Sequence, residues 1–587
     1  MYLCGLKSDY NMKIRNLLFA AILAMVTFAG FSVKAQDSVF SYTYQGTTLY
    51  YIIDTNQQAR VVPPLYPSVH WNADSTESQS WYGYSKPQGA VVVPDTVMFG
   101  GGHYPVTGLL KYAFYRCDSV TSVTLPASVT YLGNDAFTRC SLETVSMPGV
   151  TFMGEGCFYY AGSLTSVDIP AGVTFVPEWG FDHCASLQSV TLHNGTTAIG
   201  KCAFRWCQNL SSVTFPESLN TIGIYAFNKC TSLQSVTLPN SLTSIGTGAF
   251  SECSNLLSIT FSNSLTNIGD NAFNACTSLQ SVTFPNSLTS IGTSAFSDCS
   301  GLQSVTFPNS LTNLGEFAFY GCSSLQSVDI PGSVSVIGAF VFALCSSLTT
   351  VTLHEGTEIL GNCAFRECPS LTSINYPSTL KEIGTHVFQF DNELATPVIL
   401  PEGLTHLGEL AYGDCSSIVS ASLPGSLGEI SGQVFYGCTS LAKVTIEEGI
   451  MAIGALAFLL CDNLDTLIVK CVIPPDLGSY SDYVFSDFNV TVVVPCGSEQ
   501  LYRNYAVWEN FSEIIGDCGD DISEYELPSV NIRVENARIV VEGAEGETVR
   551  VFDITGRLVR NESLSAGVYL VQIGNRPAEK VVVYPNM

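Results

Sequence analysis

Apolar and polar residues alternate in one phrase that recurs along most of the chain. A middle copy reads Leu233-Gln-Ser-Val-Thr-Leu-Pro-Asn-Ser-Leu-Thr-Ser-Ile-Gly-Thr-Gly-Ala-Phe-Ser-Glu-Cys253. In its first part Leu233, Val236 and Leu238 share one side while Ser235 and Thr237 take the other. From Ser235 to Leu238 that is the two-residue period of a short strand with a single buried face. Pro239 withholds a backbone donor and ends the strand. Leu242 and Ile245 supply further inward contacts, and Gly246 turns the chain. The Ala249-Phe250-x-x-Cys253 step predicts a single helical turn that carries Phe250 into the interior.

The phenylalanine of that step returns at 114, 137, 158, 181, 204, 227, 250, 273, 296, 319, 342, 365, 388, 435 and 458, with Tyr412 in the same slot. Thirteen of the fifteen intervals are 23 residues, one is 21 and one is 24. A fixed period of this length means that each copy is one unit unable to bury its apolar side alone. Stacking the copies makes a continuous core, so the pattern predicts a solenoid whose strands lie side by side in parallel.

Cysteine follows the same rule. Of 21 cysteines, fourteen stand three residues after the aromatic: Cys117, Cys140, Cys184, Cys207, Cys230, Cys253, Cys276, Cys299, Cys322, Cys345, Cys368, Cys415, Cys438 and Cys461. Stacking puts them in one file pointing the same way, a poor geometry for disulfides. They are expected to be small buried hydrophobes. Cys471, Cys496 and Cys518 follow the array, where a disulfide is compatible with export but its pairing is open.

Charge narrows the partner. Only 13% of residues are charged, with a net charge of −27. So few basic groups argue against nucleic acid, whose phosphates require clustered Lys and Arg. Lys13 and Arg15 precede the apolar run Leu17 to Phe31, and Val33-Lys34-Ala35 offers small residues for cleavage, the composition of an export signal. The run is below the roughly 20 residues that a membrane span needs. No other stretch is long and apolar enough to cross a bilayer.

The repeated phrase LxxVxLPxxLxxIGxxAFxxC resembles the leucine-rich repeats of BspA-like bacterial surface proteins. The resemblance implies a leucine-rich-repeat solenoid: a curved parallel β-sheet with short helical turns on the convex side. It also implies an exported protein displayed for contact with host molecules or other cells. The run Val549-Arg-Val-Phe-Asp-Ile-Thr-Gly556, with Ala566-Gly-Val-Tyr-Leu-Val571 and Lys580-Val-Val-Val583, resembles the C-terminal sorting domain of type IX secretion substrates, a small all-β module. The expected organisation is a signal peptide (1–35), an N-terminal β cap (36–108), an array of about sixteen repeats (109–461), a C-terminal cap (462–516), an acidic linker (517–527) and a β-sandwich-like sorting tail (528–587). Trp71, Trp81, Tyr82 and Tyr84 in the first cap are expected to pack it, with a carbohydrate platform as the alternative.

No phosphate loop, acid pair or nucleophile constellation stands out, so the chain reads as a non-enzymatic interaction protein without a cofactor. Its candidate ligand face is the outward side of the strands: Ser189, Thr191, Ser212, Thr214, Ser235, Thr237, Ser258, Thr260, Ser281, Thr283, Ser304 and Thr306. Hydroxyl files of this kind suit hydrogen bonding to an extracellular protein or glycan, although threonine also simply favours strands. Surface glycan capture and a purely structural surface layer are the alternatives. An ice-binding file would have to be unbroken, and Asp168, Asp329 and Asn375 interrupt this one. His193 and His354, each near two cysteines and 161 residues apart, lack the spacing of a metal site.

Overall fold

The computed structural model describes residues 39–66, 81–478, 483–518, 531–535, 538–542, 549–553, 558–561, 564–565, 567–573 and 579–583. The signal segment (1–35), Trp71, Gly556 and most of the acidic linker lie outside the described residues. The chain divides after Gly195 into two compact units, the second beginning at Thr196.

In the second unit each coil contributes two short strands, and successive coils pair in parallel. Ser235–Thr237 lies against Ser258–Thr260, and Ser281–Thr283 against Ser304–Thr306. A second ladder, absent from the sequence expectation, joins Ser244–Ile245 to Asn267–Ile268 and that pair to Ser290–Ile291. Gly246 serves this ladder by its small size, since a Cβ there would stand 2.7 Å from the carbonyl oxygen of Ile222. Interior positions match the pattern: Leu233, Val236, Leu238, Leu242, Ile245, Phe250 and Cys253 are all buried.

The expected helical turn is not there. Across Gly246–Cys253 the backbone donors alternate between two partners. Ala249, Ser251 and Cys253 donate back to Gly246, Gly248 and Phe250, whereas Gly248, Phe250 and Glu252 donate across to Asp270, Ala272 and Asn274 of the next coil at 2.7–2.8 Å. A helix would spend every donor within the segment. Here every second donor is pointed at the neighbour by left-handed residues four apart, Gly248 (φ 60) and Glu252 (φ 60). The same two slots recur as Tyr225 and Lys229, then Asn271 and Ala275, then Ser294 and Asp298. A side chain in this conformation is disfavoured, and cross-coil hydrogen bonding offsets that cost. The physical reason for the correction is thus a tertiary hydrogen bond competing with a local one. Among the described residues the α-helix is Glu499–Arg503, in the C-terminal closure.

Inside the turns the phenylalanines stack face to face. Ring centroids are 5.3 Å apart for Phe227 and Phe250 and 5.4 Å for Phe250 and Phe273. The cysteine file runs alongside as free, buried thiols. Thiols of the file donate to the coil before: Cys253 Sγ to the carbonyl oxygen of Phe227 and Cys276 Sγ to that of Phe250, both at 3.2 Å. Cysteine therefore fits the slot as a small apolar group that can satisfy one extra carbonyl lone pair. Burial pushes the Cys253 and Cys299 thiols up to about 12.

The first unit opens with antiparallel strands Phe40–Tyr44, Thr47–Ile53 and Ala59–Val62. Ala59–Val62 then pairs in parallel with Gly102–Leu109, which pairs with Tyr131–Leu132 of the first coil. The antiparallel hairpin thus covers the open end of the ladder. Trp81 is buried against Tyr50, so it packs the cap, while Tyr82 projects into solvent.

Late in the second unit Thr466–Val469, Thr491–Pro495 and Glu513–Asp517 extend the sheet. Trp508 and Tyr502 plug its end, donating hydrogen bonds to the carbonyls of Pro475 and Cys471 at 2.9 and 2.7 Å. Cys496 and Cys518 form a disulfide, and Cys471 is free. The sequence left this pairing open because only the parallel pairing of Pro495 with Asp517 brings the two together. In the tail, Asn531–Glu535 pairs with Arg538–Glu542, and Gly567–Ile573 sits between Val549–Asp553 and Glu579–Val583, all antiparallel. Ile539, Val551, Leu564, Tyr569 and Val571 form its core.

Candidate interaction surface

The strand period dictates which residues can meet a ligand. In the second unit Val236, Val282 and Val305 point into the core, so their neighbours must point out. Ser212, Thr214, Ser235, Thr237, Ser258, Thr260, Ser281, Thr283, Ser304 and Thr306 are all exposed, as the alternation predicted. Ser189 and Thr191 are likewise exposed in the first unit, paired with Ser166 and Asp168. Parallel register places like over like: Ser235 beside Ser258, and Thr237 beside Thr260. The strands thus display two parallel files of hydroxyls.

What those hydroxyls do differs from two other repeat slots, where Ser and Thr tie coils together. Thr266, Thr289 and Thr312 each donate to the backbone carbonyl one coil earlier at 3.0–3.2 Å. Ser287 and Ser310 do the same at 2.6 Å. Among the described residues, no intramolecular hydrogen bond engages the side chains of the twelve strand-face positions. Their donors and acceptors are left to solvent or to a ligand.

The file has limits. Asn375 stands in a threonine slot but is spent, since its amide nitrogen donates to the Leu353 carbonyl at 2.7 Å and its oxygen accepts the Leu353 N–H at 2.8 Å. Beyond it the outward file reads Ile399, Ser422, Thr445, Ile468, Val493 and Ile515, so hydroxyls mix with branched apolar side chains. The hydroxyl face of the second unit is free of apolar side chains only as far as Thr352.

Two side-chain pairings escaped the sequence reading. Asp168 occupies a threonine slot, and His193 Nε2 approaches its Oδ1 at 2.6 Å. Asp329 and His354 repeat the arrangement at the same 2.6 Å. The echo at 161 residues was visible in the sequence, but the partners are 25 residues apart and meet only through the register of adjacent coils. No group of three or more His, Cys, Asp or Glu residues fit to hold a metal ion occurs among the described residues. Nor does any described helix have the length and apolarity to cross a membrane.

Comparison with known proteins agrees with this geometry. A leucine-rich-repeat protein from Bacteroides ovatus is 24% identical, with 78% of this chain and 98% of that one covered at a TM-score of 0.51; it shows the fold. A leucine-rich cell surface protein from Faecalibacterium prausnitzii is also 24% identical, covering 70% of this chain and 96% of its own at a TM-score of 0.36. The pneumococcal vaccine antigen PcpA is 16% identical, covering 81% and 98% at 0.31. No curated protein matches the chain. The family described as BspA type leucine rich repeat region matches residues 107–197, 174–299, 266–395 and 389–508. With both ladders, the phenylalanine stack and this match running through most of its length, the chain belongs to the BspA-type leucine-rich-repeat family.

Proposed function

We propose that this chain is an exported, non-enzymatic interaction protein that binds an extracellular protein or glycan through the hydroxyl face of its strands. One observation carries the reading: the strand-face Ser and Thr side chains have no intramolecular partner, whereas others such as Thr289 and Ser310 donate to the preceding coil. Threonine's strand propensity accounts for Thr237 but not for Ser235, because serine has no such preference. The export-signal composition of the N-terminus and the resemblance of the tail to a sorting domain support display outside the cell, secreted or held at the outer surface.

The test replaces Thr214, Thr237 and Thr260 with Lys. All three point outward, so the core is untouched. Lysine adds charge and bulk where a partner must dock, and desolvating it is costly. Stacked like charges also destabilise the sheet modestly, so the melting temperature is measured beside binding. The control puts Lys at Glu252, Ala275 and Asp298 on the turn side, in the left-handed slot that Lys229 already occupies with φ 61. Binding to arrayed matrix proteins and glycans should vanish in the first variant and persist in the second. The reverse pattern would move the function to the turn side.

A further inference from the structure

Within its hydroxyl face each unit carries one carboxylate. In the first unit Asp168 is 74% exposed and paired with His193; in the second Asp329 is 74% exposed and paired with His354. Every other outward position on the Ser/Thr strands from Ser212–Thr214 to Thr350–Leu353 is an uncharged Ser or Thr. We propose that the Asp168–His193 and Asp329–His354 pairs are two copies of a docking point for a basic side chain, arginine or lysine, of an extended protein partner. The inference rests on the strand face being the binding surface and names the class of partner it takes.

The geometry supports each part of that assignment. The imidazole engages Oδ1 only, which fixes the carboxylate's orientation and leaves Oδ2 to accept from a ligand. Neighbouring hydroxyls complete the set of acceptors: Ser146 and Thr191 flank Asp168, and Thr306 and Thr352 flank Asp329. Beside Asp168 lies a shallow depression of about 390 Å³ whose lining includes Val145, Met147, Pro148 and Pro170. The second copy offers Pro308 and Pro331 in the matching repeat slots. Such a shelf suits the aliphatic stem of Arg or Lys, which covers apolar surface while its charge stays at the carboxylate.

Chemistry also selects against a glycan. Among the Ser/Thr strands from Ser166–Ile169 to Thr350–Leu353 no outward position is aromatic, so that file offers no ring on which a sugar could stack. An extended polypeptide needs none, because its backbone amides can bond the serine and threonine files. A net charge of −27 further steers basic partners toward the chain.

The experiment immobilises a synthetic peptide with arginine at alternate positions, and the same peptide with neutral citrulline in place of each arginine. Binding of the full chain is measured by surface plasmon resonance for Asp168→Asn, Asp329→Asn and the double variant. Glu252→Gln with Asp298→Asn is the control for general acidity. We expect preference for the arginine peptide, a loss of about tenfold in affinity with each single substitution, and an unchanged control. If the double variant binds like the parent while Lys at 214, 237 and 260 still abolishes binding, the docking points are wrong and the strand face stands. If the control loses as much as the double variant, attraction is diffuse and the proposal fails. If the arginine peptide survives the triple Lys change as well, the strand-face reading fails with it.

Discussion

Removing one ring from the phenylalanine stack should loosen the array locally and leave distant coils intact. Phe250 is fully buried, with rings 5.3 Å away on one side and 5.4 Å on the other. A buried aromatic side chain removes about 200 Å² from water, worth about 5 kcal/mol at 25 cal/mol per Å². Alanine retains part of that area, so Phe250→Ala should cost about 4 kcal/mol, within the range for buried aromatics. Each coil contacts only its neighbours, which confines the effect. The informative amides are those of Phe227, Phe250 and Glu252, which donate to Ala249, Ala272 and Asn274 in the adjoining coils. Hydrogen exchange monitored by mass spectrometry should show them opening about a thousandfold faster, since each 1.4 kcal/mol is a factor of ten. Amides around Phe435 and Phe458 should not change. Acceleration below tenfold would mean that the ring contributes little. Uniform acceleration along the chain would mean that the array unfolds as one cooperative body, contrary to nearest-neighbour coupling.

Alkaline pH should destabilise the array through its thiols. Burial pushes Cys253, Cys299 and Cys345 up to about 12, against about 8.5 for an unfolded cysteine. The folded state keeps protons that the unfolded chain releases, so the stabilisation is complete below about pH 8.5 and is lost as pH rises toward 12, by about 1.4 kcal/mol per pH unit for each thiol. Urea midpoints between pH 7 and 10.5 should fall, less steeply in Cys253→Ala, and a thiol reagent should label the file only after denaturation; mass spectrometry finding Cys253 bridged to Cys276 would overturn this view. Asp391 sits in a cysteine slot, fully buried, with Oδ1 accepting the Cys368 N–H at 2.7 Å and Oδ2 without a partner. Burial raises its carboxyl well above the usual range, so its contribution is present at acid pH and is lost as pH rises. Asp391→Cys should therefore stabilise the protein at pH 7 by about 1–3 kcal/mol, the cost of an unsatisfied buried group, and the gain, read as a shift in thermal midpoint, should shrink at pH 4.

Much of this molecule could be read in one dimension. Alternation assigned Val236 and Leu238 inward and Ser235 and Thr237 outward, because a two-residue period admits only one buried side. The 23-residue spacing put like residues over like, so the phenylalanine and cysteine files were legible before any coordinates. What the sequence missed or left open were the particular hydrogen bonds and bridges that a neighbouring coil supplies. Ala249 to Cys253 looked helical because local spacing cannot reveal that alternate N–H groups are claimed by the next coil. Ser244–Ile245 is too short to announce itself as a strand and becomes one only by pairing. The thiol-to-carbonyl bonds span 26 residues, the Asp–His pairs 25, and the Cys496–Cys518 bridge 22. Each needs the coil-to-coil register that stacking supplies. The sequence thus decided the repeat, its buried side and its exposed side, since those follow from the chain's own period. Tertiary structure alone decided how backbone donors are shared and which side chains are left for a partner, since hydrogen bonds between coils exist only once the coils are stacked.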